Sequence, residues 1–131
     1  MRHLAAELGE RLAVGIDARD GFVQTKGWVE TTKITALNLA YLMSGLGVRT
    51  IIFTDTATDG MLTGPNLAAM AAMADRVPGV SVIASGGVKE PADVRALAAL
   101  GRKNLEGVIV GKALFEKPES LPEYIKAGKN N

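Results

Sequence analysis

The sequence contains no cysteine, and His3 is the only histidine among its 131 residues. The missing thiols exclude disulfide bonds and thiolate metal sites, and a lone histidine excludes a metal centre built from several imidazoles. We therefore expect no metal site in this protein.

The sequence also has no marked excess of positive or negative charge, and it has no long apolar run. Fifteen Lys and Arg residues oppose fourteen Asp and Glu residues, so bulk charge gives no reason to expect nucleic acid or an anionic membrane surface as a partner. No run approaches the roughly 20 apolar residues of a membrane span. Glu7 and Glu10 stand where a signal peptide would be apolar. We expect a cytoplasmic protein with no membrane partner.

What the sequence does contain is an alternation of short β-type runs with longer helical stretches. The β-type runs are mostly continuous in hydrophobicity, which is typical of strands buried on both faces of a parallel sheet. We predict strands over residues 12–17, 48–54, 80–85 and 106–110, and helices over residues 33–46, 65–76, 91–100 and 121–127. This order predicts one α/β domain, residues 1–131, made of four βα units with parallel strands.

In parallel α/β folds the functional site lies at the C-terminal ends of the strands. Asp17 ends the first predicted strand, Thr54 ends the second, and Asp59 follows in the loop before Gly60. A partly desolvated carboxyl group at Asp17 would suit a general acid near neutral pH. The alternative is that Asp17 caps a loop and Asp59 is a turn residue, which is the more common role of each taken alone. Asp55 need do no more than start the loop.

Glycine-containing loops follow the last two predicted strands. Gly86 and Gly87 come after the third strand, and Gly111 and Lys112 come after the fourth. Glycine lets backbone N–H groups approach a phosphate, and a helix beginning near residue 111 would add its dipole. In barrels of βα units, phosphate often binds between the last two βα loops. Two glycine loops after consecutive strands therefore favour a phosphate site here. Lys112 is either a phosphate partner or a solvated charge.

Trp28 is the only tryptophan, and it lies in the stretch 22–30, which we take as a loop after the first strand. Near a strand end its ring could stack on a planar substrate, or it could pack against the rim of the fold. The sequence leaves both roles open.

These motifs together resemble one enzyme family. The segments VGIDARDG, VQTKGW, TDTATDGMLTGPN, VIASGGV and GVIVGKALFE occur in this order at βα spacing and cover nearly the whole chain. They resemble the phosphoribosylformimino-aminoimidazole carboxamide ribotide isomerases of histidine biosynthesis. The sister imidazole glycerol phosphate synthase cyclases share the phosphate loops and a strand-end aspartate, but the KGW and GMLTGPN segments favour the isomerase.

The resemblance implies a TIM barrel that performs an Amadori rearrangement of an aminoaldose to an aminoketose on a phosphorylated ribotide, with no metal or organic cofactor. It places Asp17 on the family's general acid and Thr54 and Asp59 on its assisting polar residues. The positions that it places on one of the family's two phosphate sites are Gly86, Gly87, Gly111 and Lys112.

The chain departs from that family in length, because its four units match only the family's units five to eight. The general base and the other phosphate site belong to the missing units. The resemblance therefore implies a (βα)4 half-barrel, inactive alone, that closes by pairing with a second copy or with an N-terminal half-barrel. The alternatives are a self-assembling phosphate-binding half-barrel without catalysis and a fragment of the sister cyclase.

An isolated half-barrel would leave two strand edges and one apolar face without partners. We expect the edges to be residues 12–17 and 106–110. The side chains expected to face the barrel interior are Val14, Ile16, Ile52, Val82, Ile83 and Ile109, or their neighbours.

Overall fold

The computed structural model of the chain describes residues 7–25 and 30–129. The strands in these residues are β1 Ala13–Arg19, β2 Phe22–Thr25, β3 Glu30–Thr35, β4 Thr50–Asp55, β5 Ser81–Ser85 and β6 Leu105–Ile109. The helices are α1 Ala36–Gly45, α2 Leu67–Arg76, α3 Pro91–Ala99, α4 Lys112–Glu116 and α5 Leu121–Lys129. Short 3₁₀ turns cover Gly9–Arg11 and Pro118–Ser120.

The strands form one mixed sheet in the order β3-β2-β1-β4-β5-β6. β1, β4, β5 and β6 are parallel neighbours, as the sequence predicts. β4, β5 and β6 are each followed directly by a helix, whereas β2 and β3 come between β1 and α1. The fold is therefore α/β, with a mostly parallel sheet. None of the helices in the described part of the chain is long and apolar enough to cross a membrane.

The prediction of parallel strands only is wrong, because Phe22–Thr25 and Glu30, inside the stretch predicted as a loop, belong to two antiparallel strands. β2 pairs antiparallel with the end of β1, and β3 pairs antiparallel with β2. Asp20 and Gly21 both have positive φ, 53° and 86°, which is the backbone of a tight two-residue hairpin turn. β3 occupies the start of the stretch predicted as the first helix. That helix begins only at Ala36, after Thr35 accepts a hydrogen bond from the Asn38 backbone N–H at 3.2 Å.

The hairpin also changes the predicted edges of the sheet. β2 pairs with Ala18 and Arg19, beyond the predicted strand 12–17, and β3 is the outermost strand on that side. Within residues 7–25 and 30–129, no strand pairs with that side of β1 from Ala13 to Ile16. β6 is the other edge, as predicted.

The helices cover one face of the sheet and enclose the core. Because side chains alternate along a strand, every second residue points to this face. The buried strand residues there include Ile16, Ile51, Phe53, Val82 and Ala84, and they cluster with buried residues of the helices such as Met70, Met73, Val94 and Leu97.

The sequence predicts that six apolar strand residues, or their neighbours, face a barrel interior away from the helices, and three of the six named residues lie on the helix side instead. Ile16 and Val82 are fully buried beneath the helices, and Val14 packs against the same core. Ile52 and Ile83 alternate with buried neighbours, and Ile109 alternates with the partly buried Val108 and Val110. All three isoleucines lie on the opposite face, where Ile109 is 44% exposed. A continuous apolar run does not reveal which of its residues face which side, and this is why the sequence prediction mixed the two sets.

Candidate functional site

The pairing of the parallel strands aligns four strand-end residues in one row. Asp17 pairs with Thr54, Thr54 with Ser85, and Ser85 with Ile109. Register partners in neighbouring parallel strands point to the same face and lie about 4.8 Å apart along the sheet. The row lies on the face away from the helices, because Ile16, Phe53 and Ala84, one residue earlier in their strands, are buried in the core. The structure thus brings the predicted residues Asp17 and Thr54 together.

Thr54 and Asp17 differ in their exposure to solvent. Thr54 is only 8% exposed, whereas Asp17 is half-buried. The row therefore holds a carboxyl group that solvent can reach, beside a hydroxyl group that is nearly enclosed.

Asp59 lies in the loop between β4 and α2, residues 56–66, which is closed at both ends by Asp55. The Asp55 carboxylate accepts hydrogen bonds from the Ala57 backbone N–H at 2.9 Å and from Asn66 Nδ2 at 2.8 Å. The Asp55 carbonyl oxygen accepts from the backbone N–H groups of Thr58 and Asp59 at 3.3 and 3.0 Å. Asp55 itself is buried, so its role in the described structure is to fix the loop that carries Asp59.

One cleft collects most of the remaining candidates. It has a volume of about 60 Å³, and its lining includes Asp59 together with the predicted phosphate residues Gly86, Gly87, Gly111 and Lys112. Ser85 and Ile109, the last two members of the row, line it as well. The structure therefore places the two glycine loops and Asp59 around one small space at the C-terminal end of the sheet.

Gly86 and Gly87 have a structural role that the sequence did not reveal. Both have positive φ, 109° and 84°, and a Cβ atom at Gly87 would stand 2.4 Å from the carbonyl oxygen of Gly64. At Gly86 a Cβ atom would stand 2.7 Å from the carbonyl oxygen of Asp55. The Gly64 backbone N–H also donates to the Gly87 carbonyl oxygen at 2.9 Å. The glycine pair thus lets the loop 56–66 rest directly on the end of β5.

Gly111 and Lys112 lie on the open side of the cleft. Nothing stands within 4 Å of a Cβ atom built at Gly111, and α4 begins at the following residue. Lys112 is exposed, and Asp59 supplies the opposite charge across the same cleft. An anion bound there would be attracted by Lys112 and repelled by Asp59.

Sequence reasoning missed the polar residues that hold this region together, above all Gln24 and Thr56. Both are buried, and the Thr56 hydroxyl donates to Gln24 Oε1. The one available signal was a glutamine in a short β-type run. Trp28, predicted to stack on substrate or pack at a rim, lies outside the described residues, as does His3. No group of three His, Asp or Glu residues in the described part of the chain is arranged to hold a metal ion.

Comparison with known proteins points to one family. Residues 1–119 match the family described as "Histidine biosynthesis protein". The chain is similar to the 1-(5-phosphoribosyl)-5-((5-phosphoribosylamino)methylideneamino)imidazole-4-carboxamide isomerase of Shouchella clausii, at 48% identity over 128 residues, which are 98% of this chain and 52% of that protein.

Enzymes with the same name in two other bacteria give the same picture. The one from Opitutus terrae is 52% identical over 124 residues, covering 93% of this chain and 51% of that protein. The one from Synechococcus sp. is 51% identical over 124 residues, covering 95% of this chain and 48% of that protein. The chain spans about half the length of the curated relatives it matches.

Proposed function

Because this chain belongs to the histidine biosynthesis protein family, we propose that it supplies the acid-catalysing half of a sugar-phosphate isomerase. The relatives are named as isomerases of a phosphoribosyl imidazole carboxamide, which is a phosphorylated ribotide. The observation that carries the proposal is the row of Asp17, Thr54 and Ser85 at the strand ends, next to a glycine-lined cleft. An enzyme that isomerises a phosphorylated ribotide requires a general acid next to a phosphate-binding site.

The proposed reaction converts an aminoaldose into an aminoketose. Asp17 donates its proton to the ribosyl ring oxygen as the bond from that oxygen to C1 breaks, and the nitrogen lone pair forms an imine at C1. A base then removes the proton from C2, giving an enaminol. Protonation at C1 and loss of the hydroxyl proton at C2 complete the ketose. The protons gained at the ring oxygen and at C1 equal those lost from C2 and from its hydroxyl group, so the reaction is redox-neutral and requires no oxidant.

Thr54 and Asp59 are proposed to assist Asp17. Thr54 is the register partner of Asp17, so its hydroxyl group lies where it can bind a substrate hydroxyl beside the reacting ring oxygen. Asp59 reaches the same end of the sheet from the loop 56–66 and can hold a second hydroxyl.

Phosphate binding is assigned to the cleft of Gly86, Gly87, Gly111 and Lys112. Titration with inorganic phosphate tests this assignment directly. Lys112→Met should weaken binding about five- to thirtyfold, because a charged hydrogen bond contributes roughly 1–2 kcal/mol. Lys103→Met is the matched control, since Lys103 is equally exposed but precedes β6 instead of following it. Equal weakening by both variants, or no phosphate binding by the parent chain, would contradict the assignment.

We propose further that β1, β4, β5 and β6 are four strands of an eight-stranded barrel and that the general base comes from the other half. This proposal is supported by the share of the relatives that the chain spans, by the exposed Ile109 on the face away from the helices, and by the side of β1 that no described strand covers. That other half would be an N-terminal half-barrel in the active enzyme. A second copy of this chain would close the sheet without supplying the base.

The deciding experiment mixes the purified chain with a separately expressed N-terminal half of the Shouchella clausii relative. We expect isomerase turnover from the mixture and none from either half. A complex that binds phosphate but has no turnover would favour the second candidate, a phosphate-binding half-barrel scaffold. An ammonia-dependent cyclase assay on the same mixture tests for a fragment of the sister cyclase, and activity there in place of isomerisation would overturn the proposal.

A further inference from the structure

Gln24 is a buried polar residue in an outer part of the sheet, where an apolar side chain would be expected. It lies on β2 with 8% of its surface exposed, next to the buried Val23. Its Nε2 group donates to Thr31 Oγ1 on β3 at 3.0 Å, and its Oε1 atom accepts from Thr56 Oγ1. Burying an amide is costly unless its groups are hydrogen-bonded, so the partners of Gln24 explain how it is tolerated but not why it is there.

Thr56 connects this glutamine to β1 and to the loop 56–66. Its backbone N–H donates to the Ala18 carbonyl oxygen at 2.9 Å, and its hydroxyl group also lies 3.3 Å from that oxygen. The hydroxyl has one proton for two acceptors, Ala18 and Gln24. Ala18 is the neighbour of Asp17 in β1. Thr56 therefore joins the strand that carries the proposed acid to the hairpin.

The same threonine is the first residue of the loop that carries Asp59. Two other sets of contacts fix this loop: Asp55 holds its ends, and the end of β5 supports it through Gly87. Among the hydrogen bonds of the described residues, only the Gln24–Thr56 bond joins the loop to a side chain of the hairpin. Gln24 therefore holds the threonine with which the loop that carries Asp59 begins.

We propose that Gln24 is a positioning residue, which acts through Thr56 to set the distance between the Asp17 strand and the Asp59 loop. The inference rests on the proposed function, in which these two carboxyl groups serve one substrate. Gln24 does not touch substrate in this proposal. Replacing Gln24 should therefore lower the rate of the chemical step and leave the affinity for substrate unchanged.

The test compares three variants in the complex of this chain with an N-terminal half-barrel. Gln24→Met removes the amide at similar volume, and Thr56→Val removes the hydroxyl while leaving the Thr56 backbone bond. Thr32→Val is the matched control, because the Thr32 hydroxyl donates to the Val23 carbonyl oxygen at 2.8 Å in the same hairpin without reaching the loop.

Gln24→Met and Thr56→Val should each lower kcat roughly ten- to hundredfold with KM changed by less than about twofold. Because both remove the same hydrogen bond, the double variant should be no slower than the slower single variant. Thr32→Val should keep kcat within about twofold of the parent. A loss of kcat in Thr32→Val equal to that in Gln24→Met, or additive losses in the double variant, would overturn the inference.

Amide hydrogen exchange separates this inference from the proposed function. In Gln24→Met the backbone N–H groups of Thr58 and Asp59 should exchange about tenfold faster than in Thr32→Val, whether or not the complex turns over substrate. If the parent complex shows no turnover but this exchange pattern is present, the isomerase proposal is rejected, and the contact of Gln24 with the loop 56–66 is still supported. Unchanged exchange at Thr58 and Asp59 would reject the role of Gln24.

Discussion

Asp17 of β1 and Thr54 of β4 are register partners in adjacent parallel strands, and both point away from the helices. The sheet itself therefore fixes the spacing between these two side chains. A carboxyl group positioned by a strand needs little reordering when substrate arrives, which favours its use as an acid.

Replacing Asp17 with asparagine should abolish most of the turnover of the complemented barrel. Asparagine keeps the shape of the side chain but cannot donate a proton to the ring oxygen, and general acid–base help contributes about 10²–10⁴-fold. Steady-state isomerase kinetics measure the loss, and thermal unfolding checks that the fold is kept.

Asp20→Asn is the matched control for this substitution. Asp20 is an exposed aspartate at the hairpin turn, and asparagine tolerates its positive φ of 53°. It should retain near-parent activity. If Asp17→Asn did the same, Asp17 would have no part in the mechanism.

The parallel strands could be predicted because each is a continuous apolar run followed by a helical stretch. The rule that parallel strands end at one edge of the sheet predicts Asp17 and Thr54 at the same edge, but their pairing in register is visible only in the structure. The hairpin β2–β3 could not be predicted with equal ease, because its strands carry polar residues such as Gln24 and Thr32 that pair only in the folded sheet.

The roles of Gly86 and Gly87 depend on contacts that sequence spacing does not contain. Their φ values and their closeness to Asp55 and Gly64 arise from a loop that folds back across β5. Two adjacent glycines predict only that another group lies close to this part of the backbone. The glycine loops predict a phosphate at this point, and the structure places the loop 56–66 there as well.

Gly87→Ala should destabilise the protein by roughly 1–3 kcal/mol and weaken phosphate binding. The added Cβ atom would meet the Gly64 carbonyl oxygen at 2.4 Å and the Thr58 Cβ atom at 2.9 Å, and φ is +84°. Chemical denaturation and phosphate titration measure the two effects.

We do not expect Gly45→Ala to destabilise the protein. Gly45 ends α1, and nothing lies within 4 Å of a Cβ atom built there. Alanine should leave stability unchanged or raise it by up to about 1 kcal/mol. A Gly87→Ala variant as stable as Gly45→Ala would mean that the loop 56–66 does not rest on β5 in solution.

Tyr124 should make the protein lose stability at alkaline pH. Burial raises the pKa of its phenol, and the carboxylates of Asp93, Glu90 and Glu123 raise this pKa further. The folded state then holds the phenol proton more tightly than the unfolded state. The resulting stabilisation is complete below the unfolded pKa of about 10 and is lost as pH rises through the folded pKa.

The free energy of unfolding of the parent should therefore fall more steeply above about pH 10 than that of Tyr124→Phe. Tyr41 is the only other tyrosine and is exposed on α1, so Tyr41→Phe should follow the parent. Chemical denaturation at several pH values gives the comparison. Parallel curves for the parent and Tyr124→Phe would show that burial of this phenol does not contribute to the alkaline loss.

The chain should associate in solution instead of remaining a folded monomer. Ile52, Ile83 and Ile109 lie on the face away from the helices, and burying an isoleucine side chain contributes about 1.5–3 kcal/mol. Because each of the three is already partly buried, their further burial would contribute about 1–3 kcal/mol in total, against a total domain stability of about 5–15 kcal/mol. Light scattering coupled to size exclusion measures the assembly.

The geometry of the sheet indicates how a dimer would form. The hairpin pairs only with Ala18 and Arg19, so the side of β1 from Ala13 to Ile16 is available to β6 of a second copy. A two-fold axis would make this contact twice and complete eight parallel strands, which is enough to close a small barrel. The inward isoleucines of both copies would then share one interior.

Ile109→Lys should shift this assembly towards the monomer, because a lysine ammonium group would have to be buried in that interior. Leu42→Lys is the matched control, since Leu42 is 62% exposed on α1 in the helical layer and lies outside the proposed contact. It should leave the assembly unchanged. A parent chain that is monomeric at micromolar concentration and unfolds in one sharp thermal transition would contradict the prediction, because four strands alone would then suffice for a stable fold.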